Sequence, residues 1–215
     1  MTSKEVRAHI QESGIVASVR MYSAEEALFA AEAVAEGGIS VIEVTLTIPR
    51  AAEVIAQLVK TLPHVVMGAG GVMDTVLARQ CLDAGAKFLT SDGLRPAVIE
   101  FAVKQDVVAF SGALTPTEVI NAWEAHSDFV KVVPCAQIGG ETYIGSLHRM
   151  FPHIPLIAAG GVSPKNASKF IFAGATALGI GRELFPPEAL RLRQAVRISN
   201  LARRFLGFVK SGRGH

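Results

Sequence analysis

Two side chains of opposite charge stand where charge is costly. Glu43 lies inside the apolar run Ile39-Ser40-Val41-Ile42-Glu43-Val44-Thr45-Leu46-Thr47, and Lys131 lies inside Asp128-Phe129-Val130-Lys131-Val132-Val133-Pro134. Strand alternation puts Ile39, Val41, Glu43 and Thr45 on one face, where a carboxylate needs a partner to offset its lost hydration. Lys131 is the only lysine in the middle of a strand-like run. Lys87 starts such a run, and Lys60, Lys104 and Lys169 belong to helix ends or faces. Burial disfavours the charged ammonium, and the neutral amine is the nucleophile that Schiff-base chemistry requires. Both residues also have plainer readings: Glu43 as a salt-bridged structural carboxylate, and Lys131 as a lysine that reaches solvent or pairs with Glu43.

Other polar and glycine-rich positions fall where strand-like runs end. Arg20 closes the first run and is placed to hold a carboxylate, or to be a surface arginine. Gly68-Ala69-Gly70-Gly71 closes the third run and lets a ligand approach the backbone. Gly160-Gly161 follows the seventh run, and Gly179-Ile180-Gly181-Arg182 ends the eighth. Glycines at these two points, with a helix N-terminus, would present N–H groups to a phosphate. Arg182 would add a bidentate contact. Tight turns alone are the alternative. The six histidines form no metal motif, His148 and His153 straddling Pro152, so no metal is expected. Cys135 has no His or Asp partner in its own segment and reads as structural. No cofactor is implied.

These positions need a scaffold that brings eight segment ends together. Apolar, β-rich runs begin near Ile15, Ile39, Val65, Ala86, Val107, Asp128, Ile154 and Ala175, at spacings of 21 to 26 residues. Helical patterns lie between them: Ser23–Glu36, Arg50–Lys60, Asp74–Ala84, Pro96–Gln105, Thr115–Ala125, Gly139–Met150 and Ser163–Ala173. Ser23 with Glu26, and Thr115-Pro116 with Glu118, read as capping boxes; Ser163-Pro164 reads as a cap followed by Pro. Gly37-Gly38, Gly85 and Gly174 close helices ahead of strands. Eight alternations predict an α/β fold, a (β/α)8 TIM barrel. A doubly wound open sheet is the rival, but the first strand ends Ala-Ser-Val-Arg-Met-Tyr without the glycine fingerprint. One barrel domain is expected over residues 1–215, with an N-terminal helix. Pro187 to Val209 is expected as one long outer helix, and Ser211–His215 as a frayed end.

Composition excludes several classes. In 215 residues, half are apolar and 19% charged, which is not a disordered chain. With 21 Lys+Arg against 19 Asp+Glu, the net charge of +2 gives no bulk attraction for nucleic acid. A mean hydropathy of +0.36 fits strands buried on both faces. No uncharged stretch is long enough to span a membrane. Met1–Glu12 carries charges and no apolar core, which reads against a signal peptide. Cys81 and Cys135 are too few for a disulfide framework, and a cytoplasmic location is expected.

The sequence resembles the class I aldolases, and more narrowly the 2-keto-3-deoxy-6-phosphogluconate (KDPG) and 4-hydroxy-2-oxoglutarate (KHG) aldolase family. The matching segments are Ile42–Thr47, Gly68-Ala69-Gly70, Gly112–Glu118, Phe129–Cys135 and Gly160-Gly161-Val162, in order along nearly the whole chain. The resemblance implies a barrel that assembles as a homotrimer and acts on a small 2-keto acid, sometimes phosphorylated, releasing pyruvate and an aldehyde. It implies Lys131 as the Schiff-base lysine and Glu43 as the proton-transfer residue. Substrate would lie against Thr45, Thr47, Gly70, Gly71, Pro134, Gly160, Gly161, Gly181 and Arg182. The chain departs from the family pattern at several points. Thr47 stands where many members have an arginine for the pyruvate carboxylate, leaving Arg20 as the first candidate and Arg50 as the second. Gly71 stands for a threonine, Ser91-Asp92-Gly93 for Ser-Pro-Gly, Ala158-Ala159 for Pro-Thr ahead of the glycines, and Arg182 for a serine. Two other readings are a phosphate-binding barrel enzyme without a Schiff base and a non-catalytic barrel that binds a small acid.

Overall fold

In a computed structural model describing residues 1–214, eight parallel strands close into a barrel in sequence order. The strands are β1 Ile15–Val19, β2 Val41–Thr45, β3 Val66–Gly70, β4 Phe88–Ser91, β5 Val108–Ala113, β6 Phe129–Val132, β7 Leu156–Ala159 and β8 Ala177–Ile180. Helix α1 Ser3–Ser13 precedes β1. Then α2 Ala24–Glu36, α3 Ala51–Thr61, α4 Thr75–Asp83, α5 Pro96–Lys104, α6 Pro116–Glu124, α7 Gly140–Met150 and α8 Ala167–Phe172 each follow a strand in turn. Helices α9 Pro187–Arg191 and α10 Ala195–Gly212 follow β8. The eight expected alternations are therefore present, and each strand starts within two residues of its expected run.

Inward-facing residues stack in layers, as period-two alternation in a closed barrel requires. The lowest layer is apolar: Val16, Val41, Val66, Phe88, Val108, Phe129, Ile157 and Ala177, packed with Phe110 and closed below by Val6 and Ile10 of α1. Phe88 stacks on Phe110 at 4.9 Å, and Phe110 meets Phe129 edge-on at 5.1 Å. The Phe88 ring takes the space above Gly68, where a Cβ would lie 2.3 Å from ring carbons. Two residues further along the strands the lining becomes polar: Ser18, Glu43, Thr90 and Lys131. The apolar layer fixes the barrel, and the polar layer sits directly on it.

Local details depart from expectation in four places. Ser23 accepts from the Glu26 N–H at 3.1 Å, but the Glu26 carboxylate turns to Tyr22 N at 3.4 Å, so half of the capping box forms. The Thr115–Glu118 box is complete. Ser163 is not the cap of α8. The Asn166 side chain accepts from Ser163 N at 2.7 Å and donates to Gly161 O at 3.0 Å, and the helix starts one residue later. The expected single tail helix is two: Arg193 takes a left-handed φ of 50°, bonds Glu25 at 2.5 Å and lies over the Phe29 ring. The expected frayed end is instead helical to Gly212, and Arg213 donates to the carbonyls of Glu12 and Gln11. His215 lies outside the described residues.

Candidate active site

Strand parity brings Glu43 and Lys131 together inside the barrel, as their positions in the sequence predict. Lys131 Nζ stands 3.2 Å from Glu43 Oε1 and 3.3 Å from Oε2. The Glu43 side chain is 2% exposed and that of Lys131 12%, so the pair is nearly dry yet still reached from the mouth. Ser18 Oγ donates to Glu43 Oε1 at 2.9 Å. Burial alone would push the Glu43 carboxyl up. The Lys131 ammonium, with the Thr90 and Ser18 hydroxyls, more than offsets this and holds it below its ordinary value. Thr90 Oγ1 is near enough to favour the charged carboxylate, yet it is buried and completes no hydrogen bond.

Gly70 makes room for this carboxylate, since a Cβ there would lie 2.7 Å from Glu43 Cδ and Oε1. Its part is to seat Glu43. Gly71, with φ 74°, faces Asp92, whose Oδ2 would be 3.9 Å from an added Cβ. Thr45 is buried and its hydroxyl lies 2.9 Å from that of Thr47.

Next to the pair, and sharing Ser18 with it, lies a cavity of about 640 Å³ lined by Arg20, Thr47, Gly181 and Arg182 at the ends of β1, β2 and β8 and by Arg191 of α9. That volume is within the range of small-molecule sites. Ser18 also lines the gap of about 10 Å³ beside Glu43, Lys131 and Gly179, so it links cavity to pair. Arginines that form ion pairs are Arg7, Arg50, Arg193 and Arg197. Arg20, Arg182 and Arg191 form none among the described residues, and Glu26 is the one carboxylate facing them. Grooves of about 550 and 680 Å³ elsewhere lie between surface elements and hold none of the candidate residues.

Other expected positions are not part of this cavity. Arg50 is exposed, occupies the N-cap position of α3 with φ 57° without a side-chain capping bond, and pairs with Glu53 at 3.4 Å. Gly160 and Gly161 pack against the loop after β6. Added Cβ atoms there would lie 2.7 Å from Pro134 Cα and 2.5 Å from Ala136 Cβ. Pro134 follows a cis peptide bond in that loop. Of the two glycine loops, only the one after β8 lines the cavity, and it does so through Gly181. Cys135 is buried and its thiol pushed up to about 12 by burial, which leaves it inert. Sequence reasoning missed Ser18, Thr90 and Arg191. Ser18 and Thr90 carried a signal, since each lies two residues beyond an apolar inward residue.

The family profile "KDPG and KHG aldolase" matches residues 6–201. The chain belongs to this aldolase family. The aldolase is 33% identical to 2-dehydro-3-deoxy-phosphogluconate aldolase of Zymomonas mobilis, over 66% of this chain and 67% of that one. It is 31% identical to the probable 2-dehydro-3-deoxy-6-phosphogalactonate aldolase of Rhizobium meliloti, over 82% of this chain and 84% of that one. Among solved structures, KDPG aldolase of Legionella pneumophila, with pyruvate captured as a covalent carbinolamine intermediate, superposes with a TM-score of 0.83. The match has 26% identity and covers 92% of this chain and 96% of that one. This protein is thus an aldolase, a lyase, on a (β/α)8 barrel.

Proposed function

We propose that this aldolase cleaves a 2-keto-3-deoxy sugar acid to pyruvate and an aldehyde through a Schiff base on Lys131, with Glu43 moving the protons. The observation that carries this is the buried Lys131–Glu43 contact of 3.2 Å, joined through Ser18 to an arginine-lined cavity. After losing a proton, Nζ attacks the C2 carbonyl carbon, giving a carbinolamine that expels water to become an iminium. Glu43 takes the proton of the C4 hydroxyl. The C3–C4 electrons flow into the iminium and the aldehyde leaves.

The product is a neutral enamine, so the cation beside Glu43 is gone while burial remains. Its carboxyl then rises from its lowered resting state and becomes able to return the proton to C3. Water hydrolyses the new iminium and frees pyruvate. Glu43 thus gains basicity or acidity according to the charge on Nζ. A carbinolamine trapped in the Legionella relative supports this chemistry.

Arg20 is our choice for the pyruvate carboxylate, because Arg50 is engaged with Glu53 and outside the cavity. A charge-assisted contact contributes roughly 1.5–3 kcal/mol. Arg20→Ala should therefore raise KM by about tenfold or more in steady-state assays. A KM that moves only in Arg50→Ala reverses the choice. Arg182 and Arg191 line the same cavity and form no ion pair among the described residues, which favours a phosphorylated substrate. The test compares kcat/KM for KDPG and 4-hydroxy-2-oxoglutarate in one buffer, then again with Arg182→Ser. A preference for the unphosphorylated acid, unaltered by that change, removes the phosphate reading and leaves the aldolase reading. We further take the enzyme to be a cytoplasmic, single-domain homotrimer. The apolar side chains of Phe172 and Val196, 86% and 68% exposed, are surface available to self-association.

A further inference from the structure

We infer that Thr90 is a positioning residue, the second seat of the Glu43 carboxylate once Lys131 has become covalently bound to substrate. The inference rests on the Schiff-base reading above.

Buried hydroxyls normally have a partner, and one without a partner calls for an explanation. Thr90 Oγ1 is such an orphan: the residue is wholly buried, and its hydroxyl completes no hydrogen bond among the described residues although it lies close enough to the Glu43 carboxylate to favour the charged form. Its place in the sheet says what it faces. Thr90 on β4 pairs in register with Gly70 on β3. The missing Gly70 side chain is the space that the Glu43 carboxylate enters from β2. The carboxylate therefore reaches across a bare glycine towards the strand that carries Thr90.

The hydrogen-bond count at Glu43 then shows when Thr90 is needed. Oε1 has two donors, Ser18 at 2.9 Å and Lys131 at 3.2 Å. Oε2 has one among the described residues, Lys131 at 3.3 Å. A resting ammonium carries three hydrogens. As an iminium or an enamine, the same nitrogen carries one, and its position is dictated by the substrate carbon. Lys131 can no longer serve both oxygens, and Ser18 is already committed to Oε1. Oε2 loses its donor in a site that is closed to water below by the apolar layer. Thr90 is the uncommitted donor on this layer.

A hydroxyl also suits both states of the carboxyl. It donates to Oε2 while Glu43 is a carboxylate, and it accepts from the acid O–H after Glu43 has taken the C4 hydroxyl proton. An ammonium can only donate. Thr90 thereby holds Glu43 in one orientation through the proton cycle, when Lys131 is occupied elsewhere. Lys131 is the one charged group beside Glu43 in the gap, and the other surroundings there are Val16, Ser18, Phe110, Ile157 and Gly179.

The test follows proton transfer with pyruvate alone. Exchange of the pyruvate methyl protons into D2O, read by NMR, reports enamine formation and return. Borohydride trapping of pyruvate reports the Schiff base separately. Thr90→Val and Thr90→Ala should slow exchange by about tenfold or more while trapping persists. Thr90→Ser should exchange within about threefold of the native rate. The acid limb of the exchange rate should move to higher pH in the valine and alanine variants, since a carboxylate deprived of a donor protonates more readily. Should the valine variant fail to fold, the serine and alanine pair decides, both being smaller than threonine. Native trapping with undiminished exchange in Thr90→Ala, or a serine variant no better than alanine, overturns the role of Thr90. Absence of trapping in the native enzyme removes the Schiff-base reading itself, and this role with it.

Discussion

Lys131→Ala is expected to abolish C–C cleavage and the covalent capture of pyruvate. No other amine stands on the inner layer among the described residues, so no second nucleophile takes its place. Removing Lys131 also leaves the Glu43 carboxylate buried without its cation, and breaking one side of a buried pair typically costs about 3–5 kcal/mol. The loss has a direction with pH. In the native protein Glu43 is held below its ordinary value by Lys131. The stability from that contact is fully present above the unfolded carboxyl range and is lost as pH falls through the lowered value. In the alanine variant burial acts alone and pushes the carboxyl up. The deficit in urea unfolding should therefore be largest near neutrality and shrink towards acid. Lys131→Arg separates chemistry from stability, because it keeps a cation beside Glu43 but offers no nucleophilic amine. It should fold nearly as well as the native protein and remain inactive. Turnover by either variant would remove Lys131 from the mechanism.

Glu43→Gln is expected to slow cleavage by roughly a hundredfold or more, the usual scale of general acid–base help. The amide keeps the shape that fills the space at Gly70 and can still accept from Ser18. It cannot take a proton from the C4 hydroxyl or return one to C3. Schiff-base formation should continue at a reduced rate, so kcat falls while pyruvate capture persists. Rapid-quench measurement of cleavage against borohydride capture separates the two steps. An unchanged kcat would exclude Glu43 from proton transfer.

The layered interior explains how much of this was legible in the sequence. The strand runs announce themselves by apolar content, and Glu43 and Lys131 stand out because charge interrupts such runs. Both lie two residues beyond the lowest apolar layer, at Val41 and Phe129. The same rule, applied to Val16 and Phe88, finds Ser18 and Thr90. Small uncharged polar residues are common inside strands, so type alone does not mark them. Their meaning comes from register across the closed barrel. Arg191 was hidden differently. The segment Leu190–Gln194 is made of good helix formers without glycine or proline, and it reads as uninterrupted helix. A tertiary contact overrides this preference, Arg193 turning to Glu25 and Phe29. That break ends α9 at Arg191, which faces the mouth. The glycines after β7 were read as ligand-facing because barrels often use that loop for phosphate. The positive φ values of 78° and 83° and the close packing against the β6 loop show why both positions need glycine, and they leave the proposed contact through the backbone N–H groups open.

One measurement bears most directly on the central claim. The native enzyme is incubated with pyruvate and borohydride, digested, and the modified peptide located by mass spectrometry. The account predicts a single reduced pyruvyl adduct on Lys131, formed only when both reagents are present. An adduct on another lysine, or none in an enzyme that still cleaves its substrate, would contradict it.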